Sequence, residues 1–166
     1  EAKKCYGLIV KDFPSSPAAK KAAGARTRLD SVGKTITLRG KSPSGGAMDL
    51  ARYRGRVVLI QYWATWCEPA KTDMAALKEL LSKYGRSLSI IGVSLDNTPK
   101  DLTDYLAKNK LPWPQIFEAG GLDSRPANQL GILTLPTMIL VDQKGKVVDR
   151  DIQTAELDRA LKKLIR

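Results

Sequence analysis

An α/β fold, a central mixed β-sheet flanked by helices, is predicted by three features of the sequence. Two nearly unbroken apolar runs, Val57–Trp63 and Leu88–Ser94, have the length and composition of strands buried on both faces. Between them Met74, Leu77, Leu81 and Tyr84 recur at three and four residues and stop at Gly85, as the apolar stripe of a helix does. At the end of the chain, strand Thr137–Val141, the turn Asp142-Gln-Lys-Gly-Lys146, strand Val147–Asp149 and a striped helix carrying Leu157, Leu161 and Leu164 follow one another. Strand, helix, strand with two buried runs is a βαβ unit, whose crossover is right-handed.

The remaining elements follow in order. Thr35-Ile-Thr-Leu38 alternates polar with apolar and precedes the turn cluster Pro43-Ser-Gly-Gly46, so an N-terminal β-hairpin is expected there. Leu102, Tyr105 and Leu106 mark a helix, and Ser124–Leu130 a shorter one ending at Gly131, which together form a helical insertion before the final ββα unit. The division is then 1–32, a basic N-terminal extension or linker, and 33–166, the folded domain. Pro14-Ser-Ser-Pro17 and the Ala/Lys run from Ala18 to Arg26 suit a linker or a short docked helix.

The 166 residues carry 28 Lys plus Arg against 17 Asp plus Glu, a net charge of +11, with two cysteines and no histidine. Without histidine there is no Ser-His-Asp triad, no Cys-His dyad and no HExxH zinc site. No metal site and no cofactor are implied. The charge is uneven: residues 1–56 hold 13 basic and 4 acidic side chains, net +9, and residues 57–166 hold 15 and 13, net +2. Nucleic acid is not expected as a partner, because the basic front offers too few aromatic residues for base stacking. No apolar run approaches the roughly 20 residues of a membrane span, so membrane contact is expected only through an anchor removed ahead of Glu1.

Cys5 and Cys67 are too few and too far apart in sequence for a zinc clip or a disulfide scaffold. Cys67 stands in Trp63-Ala-Thr-Trp66-Cys67-Glu68-Pro69-Ala70, where the first buried strand ends and a helix begins. A cysteine there is aimed at solvent, beside unpaired backbone N–H groups and the positive end of the helix dipole, both of which favour thiolate over thiol. Pro69 fits the first helical turn, which needs no N–H donor.

The motif resembles the Trp-Cys-x-x-Cys active site of thioredoxin-fold proteins, more narrowly the TlpA/ResA-like (redoxin) thiol-disulfide oxidoreductase family. Leu50–Ile60, Ile91–Asp96 and Leu133–Asp142 resemble the family's lead-in, its next strand and its cis-proline segment, and the likeness runs over Gly33–Arg166. It implies a thioredoxin fold and an extracytoplasmic or periplasmic location. Its partners would be protein or small-molecule thiols and disulfides, with a redox partner protein. It also implies catalytic Cys67, with Trp66, Glu68, Pro69 and Ala70 as the rest of the motif. Thr134, Leu135 and a cis Pro136 would form the substrate-binding edge opposite Cys67. By the same resemblance Gln61, standing where thioredoxin has a buried acid, and Asp73, unless it is simply surface, would tune the thiol.

One position departs from the pattern. Ala70 stands where the family has its second cysteine, so the step in which that thiolate displaces the substrate cannot occur within the motif. Three explanations stay open: an engineered alanine, a natural monothiol protein resolved by an external thiol, or a degenerate, catalytically inactive binding module on the same fold. Whether the chain is an enzyme turns on that choice.

Overall fold

The computed structural model describes residues 1–165; Arg166, which closes the expected 33–166 domain, lies outside the described residues. In chain order the elements are α1 (Ala2–Asp12), α2 (Pro17–Leu29), β1 (Arg39–Lys41), β2 (Ala47–Asp49), β3 (Val57–Trp63), α3 (Glu68–Tyr84), β4 (Leu88–Ser94), α4 (Pro99–Lys108), β5 (Gln115–Phe117), α5 (Arg125–Gln129), β6 (Thr137–Val141), β7 (Val147–Asp149) and α6 (Thr154–Leu164).

Five strands form one sheet in the order β5-β4-β3-β6-β7, with β3, β4 and β5 parallel and β6 and β7 antiparallel to their neighbours. β3 and β4 are buried at every residue, because helices cover both faces of the sheet. On one face Leu59 and Trp63 pack with Met74 and Leu77 of α3, Leu102 of α4, and Leu157 and Leu161 of α6. On the other, Val58, Ile60 and Tyr62 pack with Ile36, Leu38, Leu50, Ala127 and Leu130. Residues alternating along β3 therefore feed two separate cores.

Two details differ from the sequence reading. The hairpin pairs Arg39–Lys41 with Ala47–Asp49 rather than using Thr35–Leu38. The alternation in that segment is real, since Ile36 and Leu38 are buried, but it lays them over the second core as irregular chain. Along the way Gly33 N–H donates to the Val147 carbonyl (2.8 Å) and Val147 N–H donates to the Lys34 carbonyl (2.9 Å), so residues 32–35 line the outer side of β7. The second difference is β5, three residues within the insertion, too short to show a period but paired in parallel with β4.

The first 32 residues carry two helices. α2 starts on a Ser16 cap whose Oγ accepts the Ala19 N–H at 3.1 Å, with Pro17 at the position that needs no donor. Its Ala19, Ala22, Gly24 and Ala25 are buried. Gly24 and Gly131 make the backbones touch: a Cβ on Gly24 would lie 1.9 Å from the Asn128 carbonyl oxygen, and one on Gly131, itself at φ +56°, 2.0 Å from the Ala25 nitrogen. α1 packs on α2 and buries none of its own residues.

An acidic hub joins α3 to α6. Asp158 accepts from Lys162 (2.8 Å), Lys83 (2.5 Å) and the Tyr84 hydroxyl (2.8 Å), and these donors, Lys162 foremost, hold its carboxyl well below the ordinary carboxylate range. A depressed carboxylate pKa contributes stability that is present above the unfolded value of ~4 and lost as pH falls from there through the folded value. In Asp158→Asn the gap in thermal midpoint from the parent is expected to be widest between about pH 5 and 7 and to narrow below about pH 4. Differential scanning fluorimetry across that range checks it, and a constant gap would contradict it.

Candidate functional site

Cys67 is the N-cap of α3. Its backbone is extended (φ −91°, ψ 94°), its N–H donates to the Ala64 carbonyl at 3.0 Å, and its carbonyl accepts the Lys71 N–H at 3.2 Å. Pro69 lies in the first turn and Glu68 is that turn's acidic residue. The helix begins here because the apolar run of β3 ends at Trp63 and the buried stripe Ala70, Met74, Leu77 takes over with helical spacing.

The expectation that Cys67 points into solvent is corrected by the structure: the residue is 6% exposed. It sits in the apolar cluster of Trp63, Ala64, Ala70 and Met74, against which Leu135 also packs. Its chain neighbours Trp66, 57% exposed, Glu68 and Pro69 are exposed. Ala70 is fully buried one turn into the helix.

Around the thiol, Glu68 and Lys71 form an ion pair at 2.5 Å. The hydrogen bond to Glu68 raises the Lys71 ammonium above its ordinary range. Gln61, fully buried on the same face of β3, donates from Nε2 to Met74 Sδ at 3.6 Å, and its Oε1 has no partner among the described residues. Asp73 is half-buried on α3.

The loop before β6 comes from the other end of the chain. Thr134 is exposed, Leu135 and Pro136 are half-buried, and the Leu135–Pro136 peptide is cis. The Thr134 carbonyl accepts the Thr137 hydroxyl at 2.8 Å. Leu135 has no backbone hydrogen bond among the described residues. Antiparallel pairing of Tyr62 with Thr137 brings this loop to the end of β3 from which the Cys67 turn emerges.

The sequence reading gave no role to Asp96. Its side chain is fully buried just past β4 and accepts the Thr65 N–H (2.9 Å), the Thr65 hydroxyl (2.7 Å) and the Ser94 hydroxyl (2.7 Å). The signal was available: parallel neighbours end side by side, so an acid following the apolar run of β4 lands next to the turn that follows β3. Trp63 is fixed similarly, its indole N–H donating to Gln115 Oε1 at 2.9 Å and its ring meeting Tyr105 edge to face, centroids 5.2 Å apart.

Comparison with known proteins bears on this arrangement. The sequence profile of the AhpC/TSA family matches residues 32–150. The chain belongs to the AhpC/TSA family. Among members of the wider redoxin group, the thiol-disulfide oxidoreductase ResA of Bacillus thuringiensis is 31% identical over 124 residues, covering 72% of this chain and 70% of ResA. A solved thiol-disulfide oxidoreductase from Bacteroides fragilis is 34% identical with a TM-score of 0.71, over 79% of this chain and 98% of the other. The thioredoxin domain of a Bacteroides vulgatus thiol-disulfide oxidoreductase, 22% identical, shares the fold at a TM-score of 0.71 over 81% of this chain and 98% of that one. This AhpC/TSA member is a thioredoxin-fold domain of the thiol-disulfide oxidoreductase type. Among the described residues no helix is long and apolar enough to cross a membrane.

Proposed function

We propose that Cys67 is an attacking thiol for disulfide substrates and that the chain halts at the mixed disulfide. The Cys67 thiolate attacks one sulfur of a substrate disulfide; a new S–S bond forms to that sulfur and the other leaves as a thiolate. Kinship with ResA supports protein or small-molecule disulfides as substrates and an extracytoplasmic location. Position 70 is where that family's second thiol stands, and its methyl group here offers no nucleophile to displace the substrate. Release of substrate then waits for an external thiol.

The single observation that carries the reading is Cys67 at the start of α3, packed into one cluster with Leu135, whose main chain has no hydrogen bond among the described residues. An extended substrate segment adds to that main chain as a strand adds to a sheet edge. Trp66, Pro69 and Thr134 frame the contact, and Glu68, Asp73 and Gln61 are the polar groups placed to tune the thiol. Residues 33–166 act as the redox domain, and residues 1–32 as its basic extension.

The reduced chain, incubated with insulin, is expected to form a one-to-one adduct that peptide mass spectrometry places on Cys67. Cys67→Ser loses the adduct and Cys5→Ser retains it. An adduct confined to Cys5, or none, would leave the inactive binding module as the better reading.

A further inference from the structure

We infer that Asp96 is a positioning residue for the Cys67 thiol, acting through Thr65; this rests on the role proposed above for Cys67. A buried carboxyl is costly unless its oxygens are fully engaged; Oδ1 of Asp96 is engaged by the turn that leads to Cys67 and Oδ2 by the end of β4. Thr65 supplies two of its three side-chain hydrogen bonds, from the main chain and from the hydroxyl, both to Oδ1. The third comes from Ser94, the β4 residue paired with Trp63, and holds Oδ2 in place. The Ser94 hydroxyl in turn accepts the Asp96 N–H at 3.2 Å. Leu95 N–H reaches back to the Trp63 carbonyl at 2.8 Å. The end of β4 thus grips β3 at Trp63 and the turn at Thr65, two residues before the sulfur.

Among the described residues the turn's other backbone ties, Cys67 N–H to the Ala64 carbonyl and Lys71 N–H to the Cys67 carbonyl, are local and do not reach the sheet. Asp96 is therefore what fixes the turn against the sheet, and with it the direction in which Cys67 meets a disulfide docked along Leu135. Exchange needs the attacking sulfur in line with the S–S bond, and small displacements of a reacting atom cost large factors in rate. Asp96 touches neither substrate nor sulfur; its effect passes through Thr65.

The test uses the full chain in a Cys5→Ser background and insulin as the disulfide. The rate of mixed-disulfide formation is measured against insulin concentration at a temperature where near-ultraviolet circular dichroism shows every variant folded. Thr65→Val, which removes the hydroxyl bond and keeps the main-chain one, is expected to lower the limiting rate on the order of tenfold or more with half-saturation unchanged. Thr65→Ser, which keeps both bonds, restores the parent rate, and Asp96→Ala, which removes both, lowers it at least as far as Thr65→Val. A purely structural role for Asp96 would lower the melting temperature and leave the limiting rate of folded protein as it was; that result overturns the inference. Absence of adduct in the Cys5→Ser parent instead overturns the proposed role of Cys67.

Discussion

Ala70→Cys is expected to turn a protein that stops at the mixed disulfide into one that turns over. Ala70 is fully buried, one helical turn inside the Cys67 cap, and shares a cluster with Cys67. A thiol at that place attacks the Cys67–substrate bond within the same molecule: a disulfide forms between Cys67 and the introduced thiol, and the substrate departs as a thiol. Intramolecular attack at well-oriented groups carries a very large effective concentration, so release of substrate should accelerate on the order of 100-fold or more over the Ala70 chain at millimolar external thiol. Insulin reduction with a reductant supply reads this as turnover. A folded Ala70→Cys protein that neither forms the internal disulfide nor reduces insulin would refute the family chemistry for this site.

The second large effect concerns stability, and it lies far from the thiol. Gly24→Ala places a methyl group where the Asn128 carbonyl oxygen already stands 1.9 Å from the ideal Cβ position. Neither group is the flexible end of a side chain; both belong to backbone, one in α2 and one in α5. The helices must separate, and overpacking of this kind costs about 1–3 kcal/mol. In urea unfolding, the midpoint should fall accordingly while the slope stays the same. Ala23→Ser, an exposed neighbour on the same helix, should leave the midpoint unchanged. An unaffected Gly24→Ala protein would mean that α2 is not seated on α5 in solution, as a free linker would behave.

What could be read in the sequence, and what could not, divides along the range of the interactions. β3 and β4 were plain because a strand covered on both faces must be apolar at every position, and Val57–Trp63 nearly is. α3 was plain because its stripe runs over four turns and stops at Gly85. The location of Cys67 at the strand–helix junction followed from those two. Its burial did not, since the apolar cluster that takes in Cys67 also draws on Leu135, 68 residues away. Asp96 was unread for the same reason: its bonds to Thr65 span 31 residues. β5 and the exact bounds of the hairpin failed differently, because three residues are too few to carry a period.

Residues 32–35 have a consequence beyond joining α2 to the domain. An outermost strand with unpaired main-chain groups is a template on which another polypeptide can grow, and the usual outcome is aggregation. β7 is such a strand by its place in the sheet, yet Gly33 and Lys34 already occupy both main-chain groups of Val147 on that side. A nick or truncation that removed this short stretch would uncover the strand. At Val147 the open edge of the sheet is thus capped by a short segment that lies outside its five strands.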